Sequence, residues 1–255
     1  MTAMAPRARV VFIGASNLTR GFAVLSELAT RAWGRPLSLV AALGHGRSYG
    51  LRTWVLGRSL PSILDCGLWR ALGQPFDGPT VAFVGDVGND LVYGQDPDTI
   101  LRWVRECVQR LKEAGAEVIL TSLPPTLGEL SRVRFLFFRN ILFRRSPLRF
   151  ESLATVVPAL EAGLRQIARE NKTGFIELRR EWYGLDPIHI RTRRCRQAWS
   201  EIVSTVVPVA PCPRLGPIRV LRPYLMFPER QWLFGVPMRR SRPYRLAGGT
   251  TVALY

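Results

Sequence analysis

Five short apolar runs, each ending at or near turn-forming residues and separated by stretches of helical periodicity, constrain this chain more than anything else in it. "ARVVFIG" (8 to 14) is a β-branched run that ends at a glycine. It passes through "GASN" into "LTRGFAVLSELATRAW", where Phe22, Leu25, Leu28, Ala29 and Ala32 fall at helical spacing. The cycle repeats with strands read at 36 to 44, 79 to 85 and 116 to 124, and a fifth at 173 to 178. Helices are read at 99 to 115, with Gly115 as a stop, at 153 to 171 despite Pro158, and at 191 to 206. Strands that alternate with helices predict a parallel sheet covered on both faces.

With 255 residues, 47% of them hydrophobic, one core burying roughly 70 to 75% of the unfolded surface is within reach. The expectation is one α/β domain over 1 to 205 with an appendage over 206 to 255. No apolar run reaches the roughly 18 residues of a membrane span. The first strand begins so close to the start that a cleavable leader has no room, so the reading is a soluble, cytoplasmic protein. Cys66, Cys107, Cys195 and Cys212 are scattered without a C-x-x-C pair or a nearby histidine, which predicts buried free thiols rather than a zinc site or disulfide framework.

The formal charge of +17 looks at first like a nucleic-acid footprint. Only Lys112 and Lys172 among the 36 basic residues are lysine, however, and the arginines are spread over the whole chain. A bias so even fits a genome-wide codon preference, and no nucleic-acid partner is expected. Two stretches break the strand and helix rhythm. Residues 131 to 150 hold six arginines and five phenylalanines without an acid; the alternatives are a lid over an acyl-binding cleft, a membrane-surface helix, and an excursion packed on the body. The tail from Val206 carries eight prolines and eight arginines but keeps Tyr224, Leu225, Phe227, Trp232 and Phe234, too apolar for a disordered linker. It is read as an irregular arm along the main domain or along a second subunit in a homodimer.

In an open parallel sheet, ligands lie beyond the carboxyl ends of the strands. Four loops fall there: "GASNLTRG" (14 to 21), "GHGRSYG" (44 to 50), "GDVGND" (85 to 90) and "LDPIHI" (185 to 190). Ser16 sits where a strand turns into a helix, a position that suits a projecting hydroxyl and equally a helix cap. Gly44 and Gly46 let the backbone come close to a ligand or simply make a tight turn. Asn89 offers a neutral amide donor or an Asx-turn. His189, one of two histidines, follows Asp186 by three residues with Pro187 between, close enough for the carboxylate to reach one ring nitrogen. The first loop lacks the Gly-Lys-[Ser/Thr] ending of a phosphate-binding loop, the second misses the dinucleotide fingerprint at Tyr49, and the chain has too few histidines and carboxylate clusters for a metal site.

Serine in the first block, glycine in the second, Gly-x-Asn-Asp in the third and Asp-x-x-His in the fourth, in this order over residues 8 to about 205, resemble the SGNH (GDSL-type) hydrolase superfamily. The resemblance implies a three-layer α/β/α flavodoxin-like sandwich with a five-stranded parallel sheet. It implies a cofactor-free serine esterase acting on a small-molecule ester: Ser16 as nucleophile, His189 as base, Asp186 as orienting acid, and Gly46 (or Gly44) and Asn89 as oxyanion donors beside the Ser16 N–H. Gly44, His45, Arg47 and Asn17 are the candidate substrate contacts. The first block departs from the family's Gly-Asp-Ser in having Gly-Ala-Ser-Asn, so the carboxylate beside the nucleophile is missing, and Ile190 stands where a proline often follows the histidine. Asp86 and Asp90 are read as loop hydrogen-bonding groups. The same residues would serve acyl transfer to an acceptor other than water. The competing reading is a catalytically silent protein of this fold that docks on a membrane or a protein through 131 to 150 and the tail.

Overall fold

The computed structural model describes residues 5–142 and 146–255. The chain runs β1 (Arg9–Ile13), α1 (Ser16–Trp33), β2 (Ser38–Ala42), a hairpin of β3 (Thr53–Val55) and β4 (Arg58–Leu60), and α2 (Leu68–Leu72). It continues through β5 (Thr80–Val84), α3 (Asn89–Val92), α4 (Pro97–Glu113), β6 (Ala116–Thr121), α5 (Arg132–Leu142), α6 (Leu153–Glu170), β7 (Gly174–Ile176) and α7 (Cys195–Ser204). The last part holds α8 (Pro217–Leu221), β8 (Arg230–Leu233), β9 (Val236–Arg239), β10 (Tyr244–Arg245) and β11 (Thr251–Leu254). Among the described residues no helix is long and apolar enough to cross a membrane.

The strand order β2-β1-β5-β6-β7 is parallel throughout, with Val11 paired to Val40 on one side and to Ala82 on the other. β1 and β5 are buried along their whole length, which is why they read as unbroken apolar runs. The strand period of two sends Val11 and Ile13 to one core, with Ile100, Val104 and Leu111 of α4 and Leu160, Leu164 and Ile167 of α6. It sends Val10 and Phe12 to the other, with Phe22, Leu25 and Leu28 of α1 and Trp199, Ile202 and Val203 of α7. The three layers expected from the resemblance are therefore present. Gly21 permits the close approach of α1 to α7, since a Cβ there would sit 2.0 Å from the Trp199 indole nitrogen. α4 starts at an Asp96 cap that accepts the Thr99 N–H at 2.9 Å, followed by Pro97 in the first turn.

The sheet has seven strands rather than the five expected. β11 adds in parallel to β2, and β10 adds antiparallel to β11, so the tail covers what would otherwise be an open edge at β2. The same tail contributes β8 and β9 to a second, four-stranded antiparallel sheet in the order β3-β4-β8-β9. The tail is thus more regular than its composition implies. In 131 to 150, Phe135 is buried in the core, whereas Val133 and Phe137 are exposed. Arg134 donates to the Gly184 and Leu185 carbonyls at 3.0 and 2.7 Å, so α5 is tied to the loop that carries Asp186. Phe143, Arg144 and Arg145 of this stretch lie outside the described residues. The four cysteines are free thiols, three of them buried.

Candidate active site

Strand order reverses between β1 and β5, where the chain leaves β1 for β2 on one side and later returns to β5 on the other. Ser16 follows β1 and Asp86 follows β5, so both emerge at the switch point. Ser16 is the first residue of α1, but the helix is capped from elsewhere. The Asp86 carboxylate, on a backbone with φ +58°, accepts the N–H groups of Ala15, Asn17 and Leu18 at 2.9, 3.0 and 3.2 Å. The third loop thus supplies the carboxylate that the first block lacks. Two consequences follow for Ser16. Its hydroxyl is not needed as a cap, and among the described residues no acceptor takes its own N–H.

The hydroxyl turns instead to the fourth loop. Ser16 Oγ lies 2.8 Å from His189 Nε2, and His189 Nδ1 lies 2.7 Å from Asp186 Oδ2. The other oxygen of Asp186 accepts the Ile188 and His189 N–H groups, each at 3.1 Å, so the short loop closes on its own carboxylate. Burial pushes the Asp186 carboxyl up, but the hydrogen bond and charge of His189 and the two N–H donors outweigh it, holding the group below its ordinary value. An ionised carboxylate on one ring nitrogen and a hydroxyl on the other is the arrangement in which an imidazole can withdraw the hydroxyl proton.

Asn17 was expected at the substrate. It is buried instead, and its amide is consumed internally. Its nitrogen donates to Asp86 Oδ1 and to the Ile188 carbonyl, both at 2.8 Å, and its oxygen accepts the Ile190 N–H at 2.8 Å. Asn17 therefore pins the His189 loop to the start of α1 from both sides of the histidine. The sequence carried a signal for this, an Asn directly after the serine, but not the partner 171 residues away.

The second loop is bolted to the third. Tyr49 donates its hydroxyl to the Gly85 carbonyl at 2.7 Å, Tyr93 to Gly46 at 2.6 Å, and Asn89 its side-chain N–H to the Arg47 carbonyl at 2.9 Å. The Asn89 side chain also bonds the Tyr93 hydroxyl, so its amide stands between the second loop and α3. Gly46 has φ +64° in a turn closed by the Arg47 N–H on the Gly44 carbonyl, and a Cβ there would meet Val55 at 2.4 Å. Gly44 is held by packing, with Leu60 2.2 Å from where its Cβ would be. His45 is exposed, with its ring stacked on Tyr224. Desolvation, then the charges of His189, Arg20 and Arg58, hold it below the usual imidazole range, so it stands neutral beside His189. Arg47 does not meet solvent as expected of a substrate contact. It is fully buried, and its guanidinium donates to the Leu43 and Tyr255 main-chain oxygens behind the loop.

Asp90, expected as a loop hydrogen-bonding group, is fully buried and accepts from the Ser48 hydroxyl and from the Tyr49 N–H, the latter at 3.1 Å. Burial pushes its carboxyl up to about 6, with both donors opposing the rise. Between the ordinary value of 3.8 and about 6 the folded state holds more proton than the unfolded one, so this group's contribution to stability falls as pH rises through that window. The gap is worth about 3 kcal/mol. Urea unfolding of the wild type and of Asp90→Asn should therefore diverge by about that amount in favour of the variant between pH 4 and pH 7. A difference that stays constant over this range would contradict the assignment. Among the described residues no group of three or more His, Cys, Asp or Glu side chains is placed to hold a metal ion.

A groove beside His189 is lined by Arg20, Leu185, Asp186, Ile190, Arg191 and Arg193, among others. No family model matches the chain, and no curated protein does. Solved structures do match. They include the native aryl esterase of M. smegmatis (TM-score 0.52, 14% identity, 78% of this chain and 98% of that one). They also include Est24, a carbohydrate acetylesterase from Sinorhizobium meliloti (0.51, 16%, 78% and 98%). The acetyl xylan esterase AlAXEase is a third (0.50, 18%, 78% and 100%). At such identities the likeness is one of fold, the α/β sandwich with a mostly parallel central sheet that these esterases share with this chain.

Proposed function

We propose that the protein is a serine ester hydrolase of the SGNH type, with Ser16 as nucleophile, His189 as general base and acid, and Asp186 as the group that orients and stabilises the imidazolium. The observation that carries this reading is the continuous hydrogen-bonded line from Ser16 Oγ through both nitrogens of His189 to Asp186. Attack of Oγ on the ester carbonyl passes the hydroxyl proton to Nε2 as the new C–O bond forms. The imidazolium then returns that proton to the leaving alkoxide, leaving an acyl group on Ser16. Water repeats the cycle in reverse, releasing the carboxylic acid and the free serine.

The tetrahedral oxyanion needs donors that are fixed before it forms. The Ser16 N–H is the first: Asp86 takes the N–H groups on either side of it, and it has no acceptor of its own among the described residues. The side-chain amide of Asn89 and the N–H of Gly46 or Gly44 complete the set in this reading, each worth about 3 kcal/mol. His45, neutral and exposed beside His189, is assigned to the substrate side of the cleft.

Covalent labelling tests the reading directly. A fluorophosphonate probe should mark Ser16 in the folded wild type, as mapped by peptide mass spectrometry, and leave Ser16→Ala unmarked. Folded wild-type protein that takes no label, or takes it on another residue, would refute the assignment.

A further inference from the structure

The second sheet ends in two exposed apolar tips. β3 and β4 are joined by Leu56-Gly57, with φ of +49° and +76°; β8 and β9 are joined by Phe234-Gly235, with +47° and +87°. Both are two-residue turns of the type that favours Asn or Asp before the glycine, because a bulky side chain is strained at the first position. Here that position holds leucine and phenylalanine, and the strained side chains are almost bare: Leu56 is 95% exposed and Phe234 82%. β4 and β8 pair antiparallel, with Arg58 opposite Leu233, so both tips leave the sheet at the same end. They sit together, since the Phe234 N–H donates to the Gly57 carbonyl at 2.7 Å and its ring lies against Gly57. Behind the tips, Trp54 on one face of the sheet and Val236 on the other are 55% and 62% exposed.

Charge says what covers this surface. The segments 51 to 60 and 230 to 240 contain Arg52, Arg58, Arg230, Arg239 and Arg240 and no acid. Arg52 and Arg230 stack on the Trp232 ring at 3.7 and 4.7 Å, holding their charges on the same sheet as the tips. A wedge of large apolar side chains flanked by arginines, on a chain of net charge +17, matches a lipid surface with anionic headgroups and repels a second copy of itself.

We propose that the paired tips at Leu56 and Phe234 insert into anionic membrane surfaces, with the arginines of the same sheet on the headgroups. The surface adjoins the candidate site, because Val55 packs where a Cβ on Gly46 would fall, and Arg58 is near enough to His45 for its charge to act on that ring. The inference does not depend on the esterase reading, and binding tests it without any turnover.

The experiment is flotation of the full chain with phosphatidylcholine vesicles, with and without phosphatidylglycerol, at low and high salt. Wild type should float with the phosphatidylglycerol vesicles, stay behind with phosphatidylcholine alone, and bind less as salt screens the arginines. The double substitution Leu56→Asn, Phe234→Asn removes both wedges and puts the preferred residue in each turn. Its affinity should fall by about 100-fold or more, the scale of losing two buried apolar side chains, while its melting temperature stays level or rises. Failure of the wild type to bind, or a double variant that floats like the wild type, would overturn the proposal. So would light scattering showing that the wild type is a dimer which the double variant dissolves, because the tips would then be buried against a second copy.

Discussion

Replacing Ser16 by alanine is expected to lower kcat for a p-nitrophenyl ester by about 10⁴-fold or more, and His189→Ala is expected to do almost the same. The reason lies in the geometry: the hydroxyl and the imidazole are 2.8 Å apart and share one proton, so removing either removes the same step. The double variant should therefore be no slower than the worse single one, a strong departure from additivity. Asp186→Ala is expected to cost less than either, since the imidazole remains beside Ser16, although the loop loses the acceptor that closes it on the Ile188 and His189 N–H groups. Asp186, held low by the hydrogen bond and charge of His189 and by two N–H donors, should stay ionised as pH falls toward the ordinary carboxylate range, so its protonation should not limit activity there. Steady-state kinetics on the four variants and the wild type would decide the matter. Multiplicative losses, or a Ser16→Ala enzyme within tenfold of wild type, would show that the three side chains do not act as one unit.

How much of this was legible in the sequence depended on the range of the forces involved. The central strands were readable because burial on both faces demands unbroken apolar runs, as in β1 and β5. The loops after them were readable because a parallel sheet gathers its carboxyl ends on one side, and Ser16, Asp186 and His189 do meet there. Asn17 and Arg47 show where such reasoning stopped. Residue type and loop position put both at the ligand, but the amide of Asn17 is spent on Asp86, Ile188 and Ile190, and Arg47 is buried with Nη1 on the Leu43 and Tyr255 main-chain oxygens. Asp86 is the converse. Its place in the third block was noted, yet nothing local indicates that it caps a helix beginning 70 residues earlier.

The tail was obscured for a different reason. Its prolines and arginines hide the alternation of β8 to β11, and the hairpin signals Leu56-Gly57 and Phe234-Gly235 lack the Asn or Asp that usually marks such turns. Those two positions were hard to read because the turn chemistry was displaced by something else. A local rule broken twice at adjacent tips is the kind of inconsistency that functional surfaces produce.

Asn17 gives the second large expectation, and it separates positioning from binding. Asn17→Ala deprives the buried Ile190 N–H of its acceptor and the Ile188 carbonyl of a donor, which should lower stability by about 2 to 4 kcal/mol. Once folded protein is counted, kcat should still fall by on the order of 100-fold, because His189 is bracketed by those two residues and a displacement of about 1 Å misaligns proton transfer. KM should hardly move, since no polar atom of Asn17 is left to meet a ligand. Asn17→Asp sharpens the test. It keeps the acceptor for Ile190 but loses both donors and sets a carboxylate against Asp86, so its stability should recover as pH falls and a proton restores one donor, whereas the alanine variant gains nothing by this route. A rise in KM at constant kcat would place Asn17 at the substrate after all, and an aspartate variant that tracks alanine at every pH would remove Asp86 from the clamp.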